Sequence, residues 1–481
     1  MSFRLIFLEV NTMKRIIAAI LSVAMLLSIG VVSFADFNAP RLTNEEWKEY
    51  YMSLRDENTL PTLNVGADET QVSLCWHADK AEAKAEVRVS KNADMSDARL
   101  FSGKTTPAEN DSQLVCRVTI TDLEENTTYY YQWHTGKDWS EICEYTTRSF
   151  GDHKVLVMGD IQITEIYDDG NDANQIREGY IWNNMLAEAL EKNPDVSYFV
   201  TPGDNTSSGC TDGEWQTLLM PKALRSLPMA MAIGNHDKKG MTYNYFTNMP
   251  NEYYGKHFRG LDRDFWFRYG DVLYLFYDST SGDAPDHMAM TKEAVALNQD
   301  AKWRIGVVHH GIYGAGDAIG DLETELLLTT IFAPIFETYD FDLVITGHTH
   351  SQGRSHFMED RKVVAAAEGG KTYTDPEGVM YLNASCATST LVLDTDAEHL
   401  AYTYRNETPA YSTIEFIGNK LILETRKGDN SELIDTVTIE RTTDERNDNS
   451  AKNVVKRLAY KIVEFVGFVY TKIDTLVRMF A

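Results

Sequence analysis

Five short segments bring together residue types that bind metals or move protons: Gly159-Asp160-Ile161-Gln162, Gly203-Asp204-Asn205, Gly234-Asn235-His236-Asp237, Val308-His309-His310-Gly311 and Gly347-His348-Thr349-His350. Carboxylates, amide oxygens and imidazoles are suitable ligands for first-row metal ions, and no thiolate stands among them. In four of the segments a glycine precedes the ligand-type residue, which predicts a tight backbone turn there. Taken singly, each segment is a weak signal: a lone Gly-Asp is usually a turn, and a lone buried histidine is usually structural. Their weight comes from recurrence and position.

Each segment lies at the end of an apolar run. Residues 155–158, 196–200, 229–233, 305–308 and 343–346 read as strands that stop at or near these polar residues, and 273–277 is a further run of the same kind. A helix is expected over 174–192. Strands alternating with helices imply an α/β domain with substantial parallel pairing, in which functional groups collect at the carboxyl ends of the strands.

Upstream the texture is different. Over 43–55, Thr43 and Glu46 match a capping box, and Trp47, Tyr50, Tyr51 and Leu54 recur at helical spacing, so a short helix is expected within a segment covering 36–59. Residues 60–150 alternate instead. Short strands at 72–76, 85–89, 114–120, 128–134 and 142–147 suggest a β-sandwich, with Trp76 and Tyr129 to Tyr131 as core and sheet residues. Strands at 413–416, 421–425 and 437–439 are expected to extend the sheet of an α/β domain covering 151–440. Residues 441–450 read as a polar linker. Residues 451–481 read as an amphipathic helix carrying Lys452, Lys456, Arg457, Lys461, Lys472 and Arg478. That helix suits a membrane surface or a partner's apolar groove, or packing back onto the catalytic domain.

The ordered segments resemble the calcineurin-like metallophosphoesterase superfamily, whose signature runs D-x-H, GD, GNH[DE], H and GHxH; four of the five blocks match, over roughly 150–440. Within it the chain is similar to purple acid phosphatases, whose N-terminal sandwich is fibronectin type III-like, as residues 60–150 read. The resemblance implies a calcineurin-like αββα sandwich of mixed sheets behind an all-β fibronectin/Ig-like sandwich, and a centre of two divalent metal ions, Mn, Fe or Zn. In that centre Asp204 bridges, Asp160 and His350 complete one site, and Asn235, His309 and His348 complete the other. His236 contacts the phosphate and protonates the leaving oxygen; His310 stands behind the ligands or faces the substrate. Two cations ~3.5–4 Å apart suit in-line displacement at phosphorus by a hydroxide held between them. Two departures stand out. Gln162 replaces the histidine of D-x-H, its amide oxygen being a neutral ligand. Ser207 occupies the place of the tyrosine that gives purple phosphatases their colour.

The resulting expectation is a secreted, acid-phosphatase-like hydrolase of phosphate monoesters. The alternatives are a phosphodiesterase with the same two-metal core and a non-catalytic surface-binding protein with a disabled metal domain. A formal charge of −27, from 45 basic and 72 acidic residues, argues against nucleic acid as a bulk partner and leaves a small phosphate ester as substrate. Lys14 and Arg15, the apolar run 16–32 and Ser33-Phe34-Ala35 form a signal peptide over 1–35, with Met13 expected as the start. The small-residue boundary favours cleavage over retention as an anchor. Export permits disulfides, but the five cysteines contain no C-x-x-C pair and no connectivity follows from them.

Overall fold

Helix formation begins where the sequence signals it. Thr43 caps helix Asn44–Leu54, its hydroxyl accepting from the Glu46 N–H while the Glu46 carboxylate accepts from the Thr43 N–H, so both halves of the capping box are made. The apolar side of this helix buries Trp47 and Tyr51 against helix Ala173–Lys192, where the Tyr51 hydroxyl donates to Gln175 Oε1 at 2.8 Å. Gly179 of the longer helix is required at this contact, because a Cβ there would stand 2.5 Å from the Trp47 ring. The computed structural model describes residues 37–443 and 446, apart from 56–59, 110–111, 165–171, 241, 255–262, 315–321, 389–396 and 405–407. These belong to one compact unit beginning at Phe37. The expected leader at 1–35, most of the linker and the amphipathic helix at 451–481 lie outside the described residues.

Two sheets face each other. The first runs, edge to edge, through Thr372–Thr374, Leu433–Glu440, Lys420–Lys427, Ala410–Ile417, His153–Val157, Val196–Thr201, Met229–Met231, Thr62–Val65, Val72–Asp79, Gln113–Ile120 and Lys104–Pro107. The second runs through Phe265–Tyr269, Val272–Tyr277, Trp303–Val308, Leu343–Thr346, Met380–Asn383, Gln352–Ser355 and Leu400–Tyr404. Side chains alternate as a pleated strand requires. In Val272–Tyr277, residues Val272, Tyr274 and Phe276 join the core between the sheets. Leu273, Leu275 and Tyr277 point the other way, toward Met290 of helix Ala284–Leu297 and Phe332 and Phe336 of helix Leu322–Thr338. Helices Ala173–Lys192 and Asp212–Leu219 contribute Trp182, Leu186, Trp215 and Leu218 to the core on the first sheet. The layers are therefore helix, sheet, sheet, helix: the αββα arrangement with mixed pairing.

The N-terminal β region is a sandwich. Its second sheet consists of Arg99–Ser102, Glu86–Ser90, Thr128–Trp133 and Cys143–Thr146, and it closes on the first over Leu74, Trp76, Val87, Val118, Tyr129 and Tyr131. Trp76 is fully buried and donates its indole N–H to the His134 carbonyl at 2.9 Å. This sandwich is not strung on a linker. Strand Thr62–Val65 pairs in parallel with Met229–Met231, so the first sheet runs continuously from the sandwich into the α/β core. Tyr131 adds a hydroxyl bond to the Arg225 carbonyl at 2.7 Å. The C-terminal strands do extend the core sheet, Ala410–Ile417 pairing antiparallel with His153–Val157.

Candidate metal centre

Parallel strands that end together deliver their following residues to one place. His153–Val157 pairs in parallel with Val196–Thr201, which pairs in parallel with Met229–Met231; in the facing sheet Trp303–Val308, Leu343–Thr346 and Met380–Asn383 are also mutually parallel. Asp160, Asp204, Asn235, His309 and His348 all lie within four residues of such an end.

The backbone there is unusual, though not where the glycines suggested. Of Gly159, Gly203, Gly234 and Gly347 only Gly203 has a positive φ, +114°. The left-handed conformation falls instead on the expected ligands: Asp160 at 45°, Gln162 at 45°, Asp204 at 50°, His348 at 72° and His350 at 52°. Gly234 and Gly347 are needed for room. A Cβ on Gly234 would lie 2.1 Å from Asp204 Oδ1, and one on Gly347 would lie 2.5 Å from Asp160 Oδ2.

Donor atoms of Asp204, His309 and His348 lie within 4.8 Å of one another. His309 Nε2 is 3.3 Å from Asp204 Oδ2 and 2.9 Å from Asn235 Oδ1, while its Nδ1 faces the Pro202 carbonyl at 3.2 Å. That carbonyl can only accept, so it holds the proton on Nδ1 and leaves Nε2 as the ligand-type nitrogen. Asp160 accepts the His348 backbone N–H at 3.0 Å, and His350 Nε2 lies 3.7 Å from Asp160 Oδ1. His236 sits at the rim, about one-third exposed. Its backbone N–H donates to Asp204 Oδ1 at 2.8 Å, its Nδ1 lies 2.6 Å from the Ser207 carbonyl, and its Nε2 is 3.9 Å from Asp204 Oδ2. His310 stands apart from the carboxylates, bonded through Nδ1 to Ser279 Oγ at 2.8 Å with its ring 4.6 Å from that of His348. Gln162 is at the centre but presents its amide N–H, not its oxygen, to Asp204 Oδ2 at 2.9 Å. Ser207 spends its hydroxyl on the Gln162 carbonyl at 3.0 Å.

Two further residues hold the site together. Asp237 is buried and accepts from the backbone N–H groups of Gly234, Asn205 and Thr206, clamping the second segment to the third. Its signal was in plain view as the last residue of Gly-Asn-His-Asp. Cys386 donates its thiol to the Asp160 carbonyl at 2.7 Å. Nothing local in the sequence announces it, since it reaches the site from the strand Met380–Asn383.

The electrostatics call for cations. Burial pushes the Asp160 carboxyl up to about 7 against the pull of His309 and His350, and burial plus the Asp204 charge raise Asp237 to about 6. Burial also opposes ionisation of Asp204, but His309 and then His236 outweigh it and hold that carboxyl well below the usual range. The reciprocal effect lifts His309 to about 9 despite its burial. Burial, then the charge on His309, lowers His348 to about 4 and, with His348, His310 to about 2. Acidic and imidazole ligand atoms are thus gathered where one imidazole is left to neutralise several carboxylates. The oxygen and nitrogen donor set fits divalent first-row ions and supplies the place where their charge is wanted.

With the geometry in hand, two family matches decide the relationship. The family described as calcineurin-like phosphoesterase matches residues 153–352, and the purple acid phosphatase N-terminal domain matches residues 60–147. The chain carries a calcineurin-like phosphoesterase domain. The first match spans every residue from Asp160 to His350, and the second coincides with the sandwich. A curated relative, purple acid phosphatase 1 of Ipomoea batatas, is 26% identical over 303 residues, covering 59% of this chain and 61% of the relative. The chain therefore spans less than two thirds of that relative's length. Among solved structures, purple acid phosphatase PPD1 from yellow lupin (Lupinus luteus) superposes with a TM-score of 0.65 at 15% identity, covering 82% of this chain and 75% of the other. A structure of PhoD superposes at 0.54 and 9% identity, covering 85% and 99%. These two likenesses establish the shared fold.

Proposed function

We propose that the chain is an exported phosphoesterase that hydrolyses small phosphate monoesters at a centre of two divalent cations, Mn, Fe or Zn. Asp204 would be shared between the two ions; Asp160, His350 and the Gln162 side chain would hold one, and Asn235, His309 and His348 the other. The observation that carries this reading is the convergence of Asp204, His309 and His348 donor atoms within 4.8 Å, with Asp160 buried beside them and pushed up by that burial. When bound, the ions neutralise phosphoryl oxygens and lower the pKa of water at the centre.

The remaining work falls to side chains. His236 is held at both ends, by its backbone N–H on Asp204 and its Nδ1 on the Ser207 carbonyl, so Nε2 faces the centre, where the imidazolium form would give a proton to the leaving oxygen. The Pro202 carbonyl orients the His309 ring through Nδ1, and Asp237 fixes the loop bearing Asn235 and His236. His310 lines the substrate side against His348. Gln162 makes its position oxygen-rich once a half-turn of the amide exchanges N–H for carbonyl, which favours Mn²⁺ there. Export rests on the leader pattern at 1–35; no helix among the described residues is long and apolar enough to cross a membrane.

The test is hydrolysis by the purified mature protein of p-nitrophenyl phosphate and bis-p-nitrophenyl phosphate with Mn²⁺, Zn²⁺ or Fe²⁺. Faster monoester turnover, abolished together with metal occupancy by Asp204→Ala, supports the proposal. Preference for the diester moves the assignment to a phosphodiesterase, and metal binding without turnover of either substrate leaves a binding protein.

A further inference from the structure

The register that assembles the second sheet also sets a hydroxyl beside one imidazole of the site. Strands Val272–Tyr277 and Trp303–Val308 run in parallel, with Tyr277 opposite Val308. Two residues further along each chain stand Ser279 and His310, and the same pairing brings them together just beyond the strand ends. The turn that bears Ser279 is held in place: Asp278 donates its N–H to Asp264 Oδ1 at 2.7 Å, and its carbonyl accepts the Ser281 N–H at 3.0 Å. Ser279 itself is buried.

The Ser279 hydroxyl has two contacts among the described residues, and both are with His310. The His310 backbone N–H donates to Ser279 Oγ at 3.2 Å, and His310 Nδ1 lies 2.8 Å from the same oxygen. A backbone N–H can only donate, so Oγ is the acceptor in the first bond. The hydroxyl proton then has one acceptor within reach, Nδ1, and a buried hydroxyl left without an acceptor is costly. Ser279 therefore donates to Nδ1, and the imidazole carries its own proton on Nε2. His310 is half-buried, and its Nε2 has no hydrogen-bond partner among the described residues. The ring stands with its centroid 4.6 Å from that of His348 and 5.1 Å from that of His309, so this unspent N–H belongs to the side of the centre where two of the candidate ligands lie.

We propose that Ser279 is a positioning residue that fixes His310 as a neutral Nε2–H donor to a phosphoryl oxygen of the substrate. The identity of the acceptor rests on the phosphoesterase reading above; the tautomer does not. In the other tautomer Nε2 would turn a lone pair toward an anionic oxygen, and the side chain would repel what it is placed to hold. Removing a preset donor from a place where negative charge develops costs ~10²–10³-fold in turnover. Loss of Ser279 frees the proton to redistribute without removing the ring, so the expected cost is smaller, about tenfold or somewhat more.

The test is the long-range ¹H–¹⁵N spectrum of the full Zn²⁺-loaded protein carrying labelled histidine, in which the two tautomers give different cross-peak patterns and His310→Gln identifies the His310 signals. The parent should show Nε2 protonated, with inorganic phosphate shifting that signal, and Ser279→Ala should move the proton partly or wholly to Nδ1. Turnover of p-nitrophenyl phosphate should fall about tenfold or more in Ser279→Ala. A glutamine amide has no tautomer to set and offers an N–H near the position of Nε2, so Ser279→Ala added to His310→Gln should cost less than twofold further. Equal losses in the two backgrounds would mean a purely structural role for Ser279 and overturn the proposal, as would a parent spectrum with Nδ1 protonated or no response of the His310 signal to phosphate. The parent spectrum decides even where Ser279→Ala fails to fold. If the parent hydrolyses no ester, the phosphoesterase reading falls, and the spectrum with its response to phosphate still decides the Ser279 assignment in either direction.

Discussion

Gly234→Ala places a methyl group where the structure has no space for one, and it does so at the residue the proposed centre depends on most. The added Cβ would stand 2.1 Å from Asp204 Oδ1 and 2.3 Å from the Asp204 backbone nitrogen. Ordinary contact begins at 3.4 Å, so the carboxylate oxygen would have to retreat by about 3.4 − 2.1 = 1.3 Å. Asp204 cannot do this freely, because Oδ1 accepts the His236 N–H at 2.8 Å while Oδ2 accepts from Gln162 at 2.9 Å and lies 3.3 Å from His309. A misplacement of about 1 Å at a reacting centre costs ~10²-fold in rate, or ~2.7 kcal/mol. The expectation is a fall of that size or more in phosphatase turnover, with reduced metal content by elemental analysis. Gly282→Ala serves as the control, because its Cβ meets nothing within 4 Å, and it should stay within about twofold of the parent. A Gly234→Ala protein with parental turnover and full metal content would refute both the crowding argument and the bridging role given to Asp204.

His236→Ala should keep metal content near that of the parent while lowering turnover ~10²–10⁴-fold, as loss of a general acid does; metal loss equal to that of Asp204→Ala, measured by elemental analysis, would show that His236 is a ligand. Iron-loaded protein should lack a strong visible charge-transfer band, because Ser207 offers no phenolate, and added Mn²⁺ should raise the activity of protein purified without metal; absorption spectra and metal-reconstitution assays check both. His153 is buried beneath Tyr269 and Phe416, and burial lowers it to about 4. The unfolded chain therefore takes up a proton near pH 6.5 that the native protein refuses until about 4, so stability is full above pH 6.5 and falls by up to ~3 kcal/mol between those values. His153→Phe should remove one proton's worth of that slope in urea midpoints measured at pH 7 and pH 4.5; an unchanged slope would mean another group is responsible.

The legible parts of this protein are those whose information is local. The capping box at Thr43 and Glu46, the helix expected over 174–192 and found as Ala173–Lys192, and the alternation that makes the sandwich are each specified by residues a few positions apart. So are the five chemistry-bearing segments, because each strand end carries its own polar residues. Continuity between sandwich and core was not legible. It rests on one parallel pairing, Asn64 with Met229, between residues 165 positions apart, and on Asn64 donating its side-chain amide to the Met229 carbonyl. No periodicity encodes which strand lies beside which. The orientation of Gln162 was not legible either, because it depends on Asp204 arriving from another strand.

The glycine pattern was legible but pointed to the wrong cause, and the difference explains the site. A glycine beside a ligand suggests a turn that only glycine can make, yet Gly159, Gly234 and Gly347 have ordinary φ while Asp160, Gln162, Asp204, His348 and His350 carry the left-handed conformation. Such a conformation costs a non-glycine residue ~1–3 kcal/mol and persists only where its surroundings enforce it. Here they do. The Asp160 carboxylate is pinned by the His348 N–H, Gln162 donates its backbone N–H to the Asp204 carbonyl at 3.0 Å, and Asp237 clamps the loop that bears Asn235. Gly234 and Gly347 clear the volume into which the Asp204 and Asp160 carboxylates turn. Strain at these candidate ligands and space at the glycines are two halves of one arrangement, which sets donor atoms of Asp204, His309 and His348 within 4.8 Å of one another. Binding energy would then not be spent on assembling the ligands, which is the condition for tight metal capture at a site where burial otherwise drives the Asp160 carboxyl toward protonation.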